Sequence, residues 1–157
     1  MNTAVTEKLD ELQIEYKIKP HTKPVYTSED AARERGVRLS QIVKTMLLMD
    51  ENGRIVVAVL PGDKRLDLKK LKKLTEVKDL RFVDREILEQ RLGFVAGAIA
   101  PIAEFLEGMP IFVDPAVFFE KMVDISSGDP WGGLELKSED LHELLGGFYV
   151  TEITKKG

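Results

Sequence analysis

Two apolar segments decide the fold of this chain: Ile42-Val43-Lys44-Thr45-Met46-Leu47-Leu48-Met49, and Ile55-Val56-Val57-Ala58-Val59-Leu60. Both are rich in apolar and β-branched residues, a composition typical of buried strands. Asn52-Gly53 lies between them, and this dipeptide is the strongest short-range signal for a tight turn between antiparallel strands. The sequence therefore predicts a β-hairpin, around which the other elements are arranged.

The first strand of this hairpin contains one charged residue, Lys44. If Asn52-Gly53 forms a two-residue turn, residue 51 pairs with residue 54, and Lys44 then lies opposite Pro61. A lysine is costly to remove from water, so its place in an apolar strand needs a reason. Lys44 could bind a phosphate or a carboxylate at the end of the sheet, oriented by Asp63 or another carboxylate. It could equally extend to solvent or form a structural ion pair, and the sequence leaves both interpretations open.

Helices and further strands flank the hairpin on both sides. Helices are predicted where capping residues such as Thr27, Asp67 and Ser138 precede apolar residues at helical spacing. Predicted helices cover Val5 to Leu12, Thr27 to Gly36, Asp67 to Leu74, Asp84 to Gly93, a short segment after Asp114-Pro115, and Ser138 to Gly146; predicted strands cover Ile14 to Ile18, Arg81 to Val83, Ile111 to Val113, Met122 to Ile125, Leu134 to Leu136 and Phe148 to Ile153. This mixture predicts an α+β (mixed α/β) fold in a single compact domain spanning residues 1–157.

Composition limits the class of protein. The chain has 157 residues, no cysteine, 43% hydrophobic and 32% charged residues, and a formal net charge of -4. The lack of cysteine excludes disulfide frameworks and thiolate metal sites and is typical of a reducing compartment, so we expect the cytoplasm. The acidic balance excludes a polycationic nucleic-acid coat but allows a local basic surface. Charges within Met1 to Leu12 lead us to expect no signal peptide, and no apolar run reaches the roughly 20 residues that cross a membrane.

Two further segments are candidate binding regions. Gly93 to Pro101 has almost no polar side chains, so polar recognition there would use main-chain amides, which can stabilise a developing negative charge; the alternative is a packed core strand. Ser126 to Gly133 is a polar loop with the only tryptophan, which could stack on a base or simply pack on the surface. His21 and His142 have no serine or acidic partner at diagnostic spacing, so we expect surface or capping roles and no catalytic triad.

One dense basic cluster follows the hairpin. In the helix after Asp67, Leu68, Leu71 and Leu74 are expected to face the core while the lysines face water. The cluster comprises Lys64, Arg65, Lys69, Lys70, Lys72 and Lys73. It could follow an RNA backbone, or it could be the solvated face of an ordinary amphipathic helix.

Four motifs, taken in order, resemble the YbaK-type aminoacyl-tRNA editing domains. This family includes free-standing deacylases and the editing insertion of bacterial prolyl-tRNA synthetases. The motifs are Ile42-Val43-Lys44-Thr45-Met46-Leu47-Leu48, Val59-Leu60-Pro61-Gly62-Asp63-Lys64-Arg65-Leu66-Asp67-Leu68, Gly97-Ala98-Ile99-Ala100-Pro101 and Ile125-Ser126-Ser127-Gly128. The resemblance extends from about Leu9 to Phe148.

The resemblance implies a curved, largely antiparallel sheet with flanking helices. It also implies hydrolysis of the ester between a wrong amino acid and the 3′ end of a tRNA, by a water positioned with help from the ribose hydroxyl. No metal, cofactor or membrane is implied. The implied partner is a mischarged tRNA, and an aminoacyl-tRNA synthetase is a second candidate partner.

The resemblance also suggests roles for individual residues. Lys44 would contact the terminal nucleotide, and Gly97 would begin the loop whose amides hold the ester carbonyl, so both are candidate catalytic residues. The implied substrate-binding residues are Thr45, Ala98, Ile99, Pro101, Ser127, Gly128 and Glu135, and the basic cluster supplies Lys64, Arg65, Lys69 and Lys70 as tRNA-binding candidates. Relatives commonly have Gly-Gly-Val-Ser-Pro where this chain has Gly-Ala-Ile-Ala-Pro.

We therefore expect a stand-alone aminoacyl-tRNA deacylase that acts on a small misacylated amino acid (alanine, cysteine or serine), with tRNA(Pro) as the expected carrier. The alternative is a non-catalytic module that binds aminoacyl-tRNA ends, nucleotides or a protein partner. Hydrolysis of small esters unrelated to RNA is a third interpretation, and it would require no basic docking surface.

Overall fold

The structure is a computed structural model that describes residues 1–156, so Gly157 of the predicted domain lies outside the described residues. Within that range the strands are β1 (Lys17–Pro20), β2 (Val43–Asp50), β3 (Ile55–Pro61), β4 (Leu80–Phe82), β5 (Ile111–Val113), β6 (Met122–Ser126), β7 (Gly132–Lys137) and β8 (Tyr149–Val150). The α-helices are α1 (Ala4–Glu11), α2 (Ser28–Arg35), α3 (Leu68–Thr75) and α4 (Leu141–Leu145). Shorter helical turns cover Leu39–Gln41, Ile87–Arg91, Ala103–Leu106, Pro115–Phe118 and Ser138–Asp140.

The strands form two sheets. Sheet A has the order β1-β7-β6, and sheet B has the order β4-β2-β3-β5-β8. All neighbours are antiparallel except the pairs β3/β5 and β5/β8. The sheets meet where Ile42, just before β2, forms a parallel bridge with Asp124 of β6. The predicted α+β fold with largely antiparallel pairing is confirmed, with its strands divided between two sheets.

The central hairpin has the predicted strands but a different register. Lys44 pairs with Leu60 instead of Pro61. The reason lies in the turn, where Asp50 N–H donates to Arg54 C=O at 2.9 Å and leaves a three-residue loop closed by Gly53 at φ 79°. The Asp50 carboxylate accepts hydrogen bonds from the N–H groups of Asn52 (2.8 Å) and Arg54 (3.0 Å). This buried side chain stabilises the longer loop, so the predicted register is wrong by one residue.

The capping residues explain most helix boundaries. Thr27 caps α2 by accepting from Asp30 N–H, Gly36 ends α2 in the left-handed conformation, and Asp67 caps α3, all as predicted. Ser138 is not a cap, because it is buried at the start of a 3₁₀ turn that leads into α4. Leu74 is exposed instead of facing the core, whereas Leu68 and Leu71 pack in the apolar layer under α3 as predicted.

Sheet B separates two apolar layers. On one face Leu47, Val57 and Val59 pack with α1, α4 and the inner face of sheet A. On the other face Leu48 and Leu60 pack against α3. Successive residues of β2 therefore enter different layers, as strand geometry requires. The last predicted strand is shorter than expected, because only Tyr149–Val150 pairs with β5 before the chain turns back toward Leu66.

No helix within residues 1–156 is long and apolar enough to cross a bilayer.

Candidate active site

A cavity of about 390 Å³ lies along the edge of β2, in the gap between the two sheets. Near one end Ile42 bridges to β6, and near the other Leu47 C=O accepts a hydrogen bond from Val83 N–H at 3.0 Å. Between these two points no strand of residues 1–156 covers the edge of β2. The cavity walls come from the start of α2, from β2, and from the loop at Gly97, with Ser126 also in the lining.

The hydrogen-bonding pattern of the hairpin directs the N–H and C=O groups of Thr45 toward this cavity. Gly62 N–H donates to Ile42 C=O at 2.7 Å, and together with the Asp50–Arg54 bond this places the even-numbered residues of β2 in bonded pairs with β3. The N–H and C=O of Thr45 therefore point away from β3. Thr45 Oγ1 is also buried without a hydrogen-bond partner among the described residues. Buried polar groups of this kind are normally satisfied by a bound molecule or water.

Lys44 lies in the same cavity and is partly buried. Desolvation lowers the pKa of its ammonium group, and the charges of Glu29 and Asp63 act in the opposite direction. No carboxylate within residues 1–156 lies within 4.0 Å of Lys44 Nζ. The interpretation of Lys44 as a structural ion pair is therefore not supported, and its charge is free to bind an anion.

Gly97 borders the same cavity and needs to be glycine for two reasons. Its φ is 77°, and a Cβ built on it would lie 2.8 Å from Tyr26 O. The loop is a turn and not a core strand, because Ala98 N–H donates to Val95 C=O at 2.9 Å. Gly97 and Ile99 line the cavity, and their amides have no acceptor within the described chain, so they are the candidate amides for stabilising an oxyanion.

The start of α2 forms a wall of the cavity that no sequence motif indicated. Tyr26, Ser28 and Glu29 line the cavity, and Thr27, predicted only as a helix cap, lies there too. Tyr26 and Phe82 of β4, which also lines the cavity, carry no motif that would single them out.

Other predicted substrate-binding residues lie elsewhere. Ala98, Ser127 and Gly128 line a second cavity of about 660 Å³ on the far side of the loop. Ser127 Oγ is buried and donates to Gly132 C=O at 2.6 Å, which holds the turn before β7. Pro101 is buried and lines neither cavity. The structure thus brings Lys44, Thr45, Gly97 and Ile99 together and separates these other residues from them.

Glu135 belongs to a charged cluster behind the cavity. Lys19 Nζ lies 2.7 Å from Glu135 Oε2 and 3.6 Å from Oδ1 of the fully buried Asp124. Burial raises the pKa of Asp124 to about 6, although Lys19 and Arg35 act in the opposite direction. Burial also lowers the pKa of Arg35, a residue of α2 that lines the cavity. The cluster therefore ties α2 and sheet A together at the inner end of the cavity.

His21 joins this cluster and is buried, so the expected surface role is wrong. Arg35 Nε–H donates to His21 Nε2 at 3.0 Å. The other ring nitrogen, Nδ1, lies 2.8 Å from Pro130 O and therefore carries the proton that this carbonyl accepts. His142 stacks on Phe118, with ring centroids 4.5 Å apart. No group of three or more metal-ligating side chains occurs in residues 1–156.

The basic cluster lies on and before α3. Lys64, Arg65 and Lys69 form no ion pair within 4.0 Å in the described part of the chain. Lys70 Nζ donates to Thr154 C=O at 3.0 Å and thus holds the C-terminal segment. Besides desolvation, the charge of Arg65 also lowers the pKa of Lys44, whereas no residue of the basic cluster lines the cavity.

Comparison with known proteins gives this site a context. A family model described as "Aminoacyl-tRNA editing domain" matches residues 22–144. An Enterococcus faecalis (strain ATCC 700802 / V583) protein named "Putative Cys-tRNA(Pro)/Cys-tRNA(Cys) deacylase EbsC" is 29% identical over 130 residues, which cover 83% of this chain and 78% of that protein. A proline–tRNA ligase of Fervidobacterium nodosum is 30% identical over 99 residues, which cover 63% of this chain and 17% of the ligase.

Solved structures share this fold. A crystal structure of "hypothetical protein APE2540" superposes with a TM-score of 0.83 at 28% identity, covering 96% of this chain and 99% of that one. A structure described as "a putative trans-editing enzyme for prolyl tRNA synthetase" superposes with a TM-score of 0.80, covering 99% of each chain, but at 22% identity it shows the fold alone.

The family resemblance seen in the sequence is confirmed, and so is the enzyme class that it implies, an aminoacyl-tRNA deacylase. The matched residues include Lys44, Thr45, Gly97 and Ile99, which line the cavity. Because the family model spans well over half of the sequence, this chain belongs to the aminoacyl-tRNA editing domain family.

Proposed function

We propose that this chain is a stand-alone, trans-editing deacylase that removes alanine, cysteine or serine from the 3′ end of wrongly charged tRNA(Pro). The observation that carries the proposal is the shared cavity of Lys44, Thr45 and Gly97. The names of two relatives, which mention Cys-tRNA(Pro) and proline–tRNA ligase, support the choice of tRNA. The expected setting is the cytoplasm, with an aminoacyl-tRNA synthetase as a second candidate partner.

Water is the nucleophile in this proposal. Its oxygen adds to the ester carbonyl carbon, and the bond from that carbon to the ribose oxygen then breaks. The products are the free amino acid and the tRNA hydroxyl, which receives the proton. The N–H groups of Gly97 and Ile99 donate to the carbonyl oxygen as its negative charge develops. Lys44 binds the phosphate of the terminal nucleotide, and the free polar groups of Thr45 hold the ribose or the amino acid.

Size would decide which amino acids are removed. The side chain of Ile99 is 8% exposed and lines the cavity, where it limits the space beside Gly97. Each methylene that a pocket accepts or rejects changes specificity by only about 1–3 kcal/mol. The enzyme should therefore act on several small amino acids and reject large ones.

The test is a panel of tRNA(Pro) samples charged separately with alanine, cysteine, serine or proline, followed by the rate of ester loss. We expect rapid release of the first three and slow release of proline. An Ile99→Ala variant should extend the range toward larger amino acids. Ester loss at the uncatalysed rate throughout would overturn the proposal, and retention of charged tRNA without turnover would favour a binding module instead.

A further inference from the structure

Two aromatic side chains at the mouth of the cavity remain unexplained by the proposed reaction. Tyr26 is 51% exposed and Phe82 is 49% exposed, and both line the cavity that contains Lys44. Three other exposed aromatic residues, Phe119, Trp131 and Tyr149, do not line it. Two large apolar rings left half in water at a cavity that also contains Lys44 indicate a surface that a planar ligand covers.

Tyr26 and Phe82 approach the mouth from different elements. The main chain of Tyr26 packs against Gly97, on the α2 side of the cavity. Phe82 belongs to β4, the strand next to β2, and lines the same cavity. The two rings thus reach one cavity from elements far apart in the sequence.

Phe82 is also in register with the lysine. Its partner across the sheet is Leu48, four residues along β2 from Lys44, so Phe82 and Lys44 share one face of sheet B. Four residues of a strand span about 13 Å. A nucleotide whose phosphate contacts Lys44 can therefore place its base between Phe82 and Tyr26.

We propose that Tyr26 and Phe82 stack on the base of the 3′-terminal nucleotide and so hold the ester beside Gly97. This inference rests on the proposed function for the identity of the ligand, a phosphorylated nucleoside at an RNA 3′ end. Stacking on aromatic rings tolerates any base, so the rings supply affinity and position, while the amino acid is selected near Ile99.

The test distinguishes the contribution of the base to binding from that of the phosphate. The folded protein is titrated by NMR with adenosine 5′-monophosphate and, in parallel, with ribose 5-phosphate. The parent should bind the nucleotide at least about fivefold more tightly than the sugar phosphate. Tyr26→Leu and Phe82→Leu should each reduce the ratio of the two affinities toward one without weakening the binding of ribose 5-phosphate. Tyr26→Phe should keep the ratio, and Lys44→Met should weaken both ligands alike.

Phe119→Leu is the matched control, because Phe119 is 80% exposed and lies outside the cavity lining. Equal affinity of the parent for the two ligands, or an unchanged ratio in the folded leucine variants, would overturn the inference. Failure to detect nucleotide binding at millimolar concentrations would overturn it as well. The titration involves no hydrolysis, so an inactive protein that keeps the ratio would refute the proposed deacylase and leave the stacking site standing.

Discussion

Lys19 Nζ lies 3.6 Å from Asp124 Oδ1, and it is the cation nearest to a carboxylate that is completely buried. Neither carboxylate oxygen of Asp124 has a hydrogen-bond partner among the described residues. Lys19 also forms an ion pair with Glu135, and the other nearby cation is Arg35 of α2. The negative charge of Asp124 is therefore only partly compensated.

Stability should therefore depend on pH through Asp124. Burial raises the pKa of this carboxyl from an ordinary 3.8 to about 6, so the folded chain holds the proton more tightly than the unfolded chain does. The free energy of unfolding should fall as pH rises from about 4 to about 6, by on the order of 2–3 kcal/mol from this group. Above that range the contribution of Asp124 is constant.

Urea denaturation across this pH range measures the effect. In Asp124→Asn the fall should disappear, whereas Asp79→Asn, which changes an exposed aspartate, should keep it. Parallel curves for the parent and Asp124→Asn would contradict the expected titration. The comparison between variants is needed because carboxyls with lowered pKa, such as Asp30 and Glu120, change stability in the opposite direction at lower pH.

Replacing Lys44 should separate activity from stability. Lys44→Met keeps the length of the side chain and removes a charge that burial disfavours, so the free energy of unfolding should stay the same or rise. Loss of the charged contact to substrate should lower kcat/KM for ester release by about 100-fold. Ester-release kinetics measure kcat/KM, and urea denaturation measures the free energy of unfolding. A stable variant with parental kcat/KM would show that Lys44 has no part in the reaction.

The loop glycine can be tested against a matched glycine in the hairpin. Gly97 and Gly53 have φ values of 77° and 79°, but only at Gly97 would a new Cβ approach main-chain atoms, whereas none lie within 4 Å at Gly53. Gly53→Ala should cost about 1 kcal/mol of unfolding free energy through backbone strain alone. Gly97→Ala should cost more, because the main chain of Tyr26 must move, and it should also abolish ester release. Equal losses of stability in the two variants would contradict the close packing at Gly97.

The basic surface should make the affinity for tRNA depend on salt concentration. Lys69 and Lys73 are exposed and form no ion pair in residues 1–156. Lys69→Gln and Lys73→Gln should each reduce the slope of log affinity against log salt concentration by about 1. Lys121→Gln, an exposed lysine outside the cluster, serves as the control. Slopes equal to that of the parent would mean that α3 is only a solvated face.

The sequence was sufficient for the two strands of the hairpin and for Lys44, Thr45, Gly97 and Ile99 of the cavity lining, but not for the hairpin register. Propensity and the Asn52-Gly53 signal predict the turn, whereas the extra loop residue depends on hydrogen bonds made by the Asp50 side chain. The difference matters for the site. A two-residue turn would have directed the peptide groups of Lys44 toward the cavity, and the observed turn directs those of Thr45 instead.

Other residues of the site could not be predicted because tertiary contacts alone bring them there. Tyr26 and Phe82 come from segments more than fifty positions apart, and neither stands in a pattern that local rules recognise. Arg35 stands in no motif, yet it is directed inward to His21. Ser127 and Glu135 show the reverse case, since a motif pointed to them while local hydrogen bonds and an ion pair occupy both.

The uncovered edge of β2 has a consequence for solubility as well as for recognition. Unpaired peptide groups on a strand are a template on which a neighbouring molecule can add its own strand and begin an aggregate. Here the uncovered stretch lies only between Ile42 and Leu47, and residues of α2 and the Gly97 turn line the cavity beside it. The fold can thus keep the Thr45 peptide available to a small ligand while denying it to other proteins.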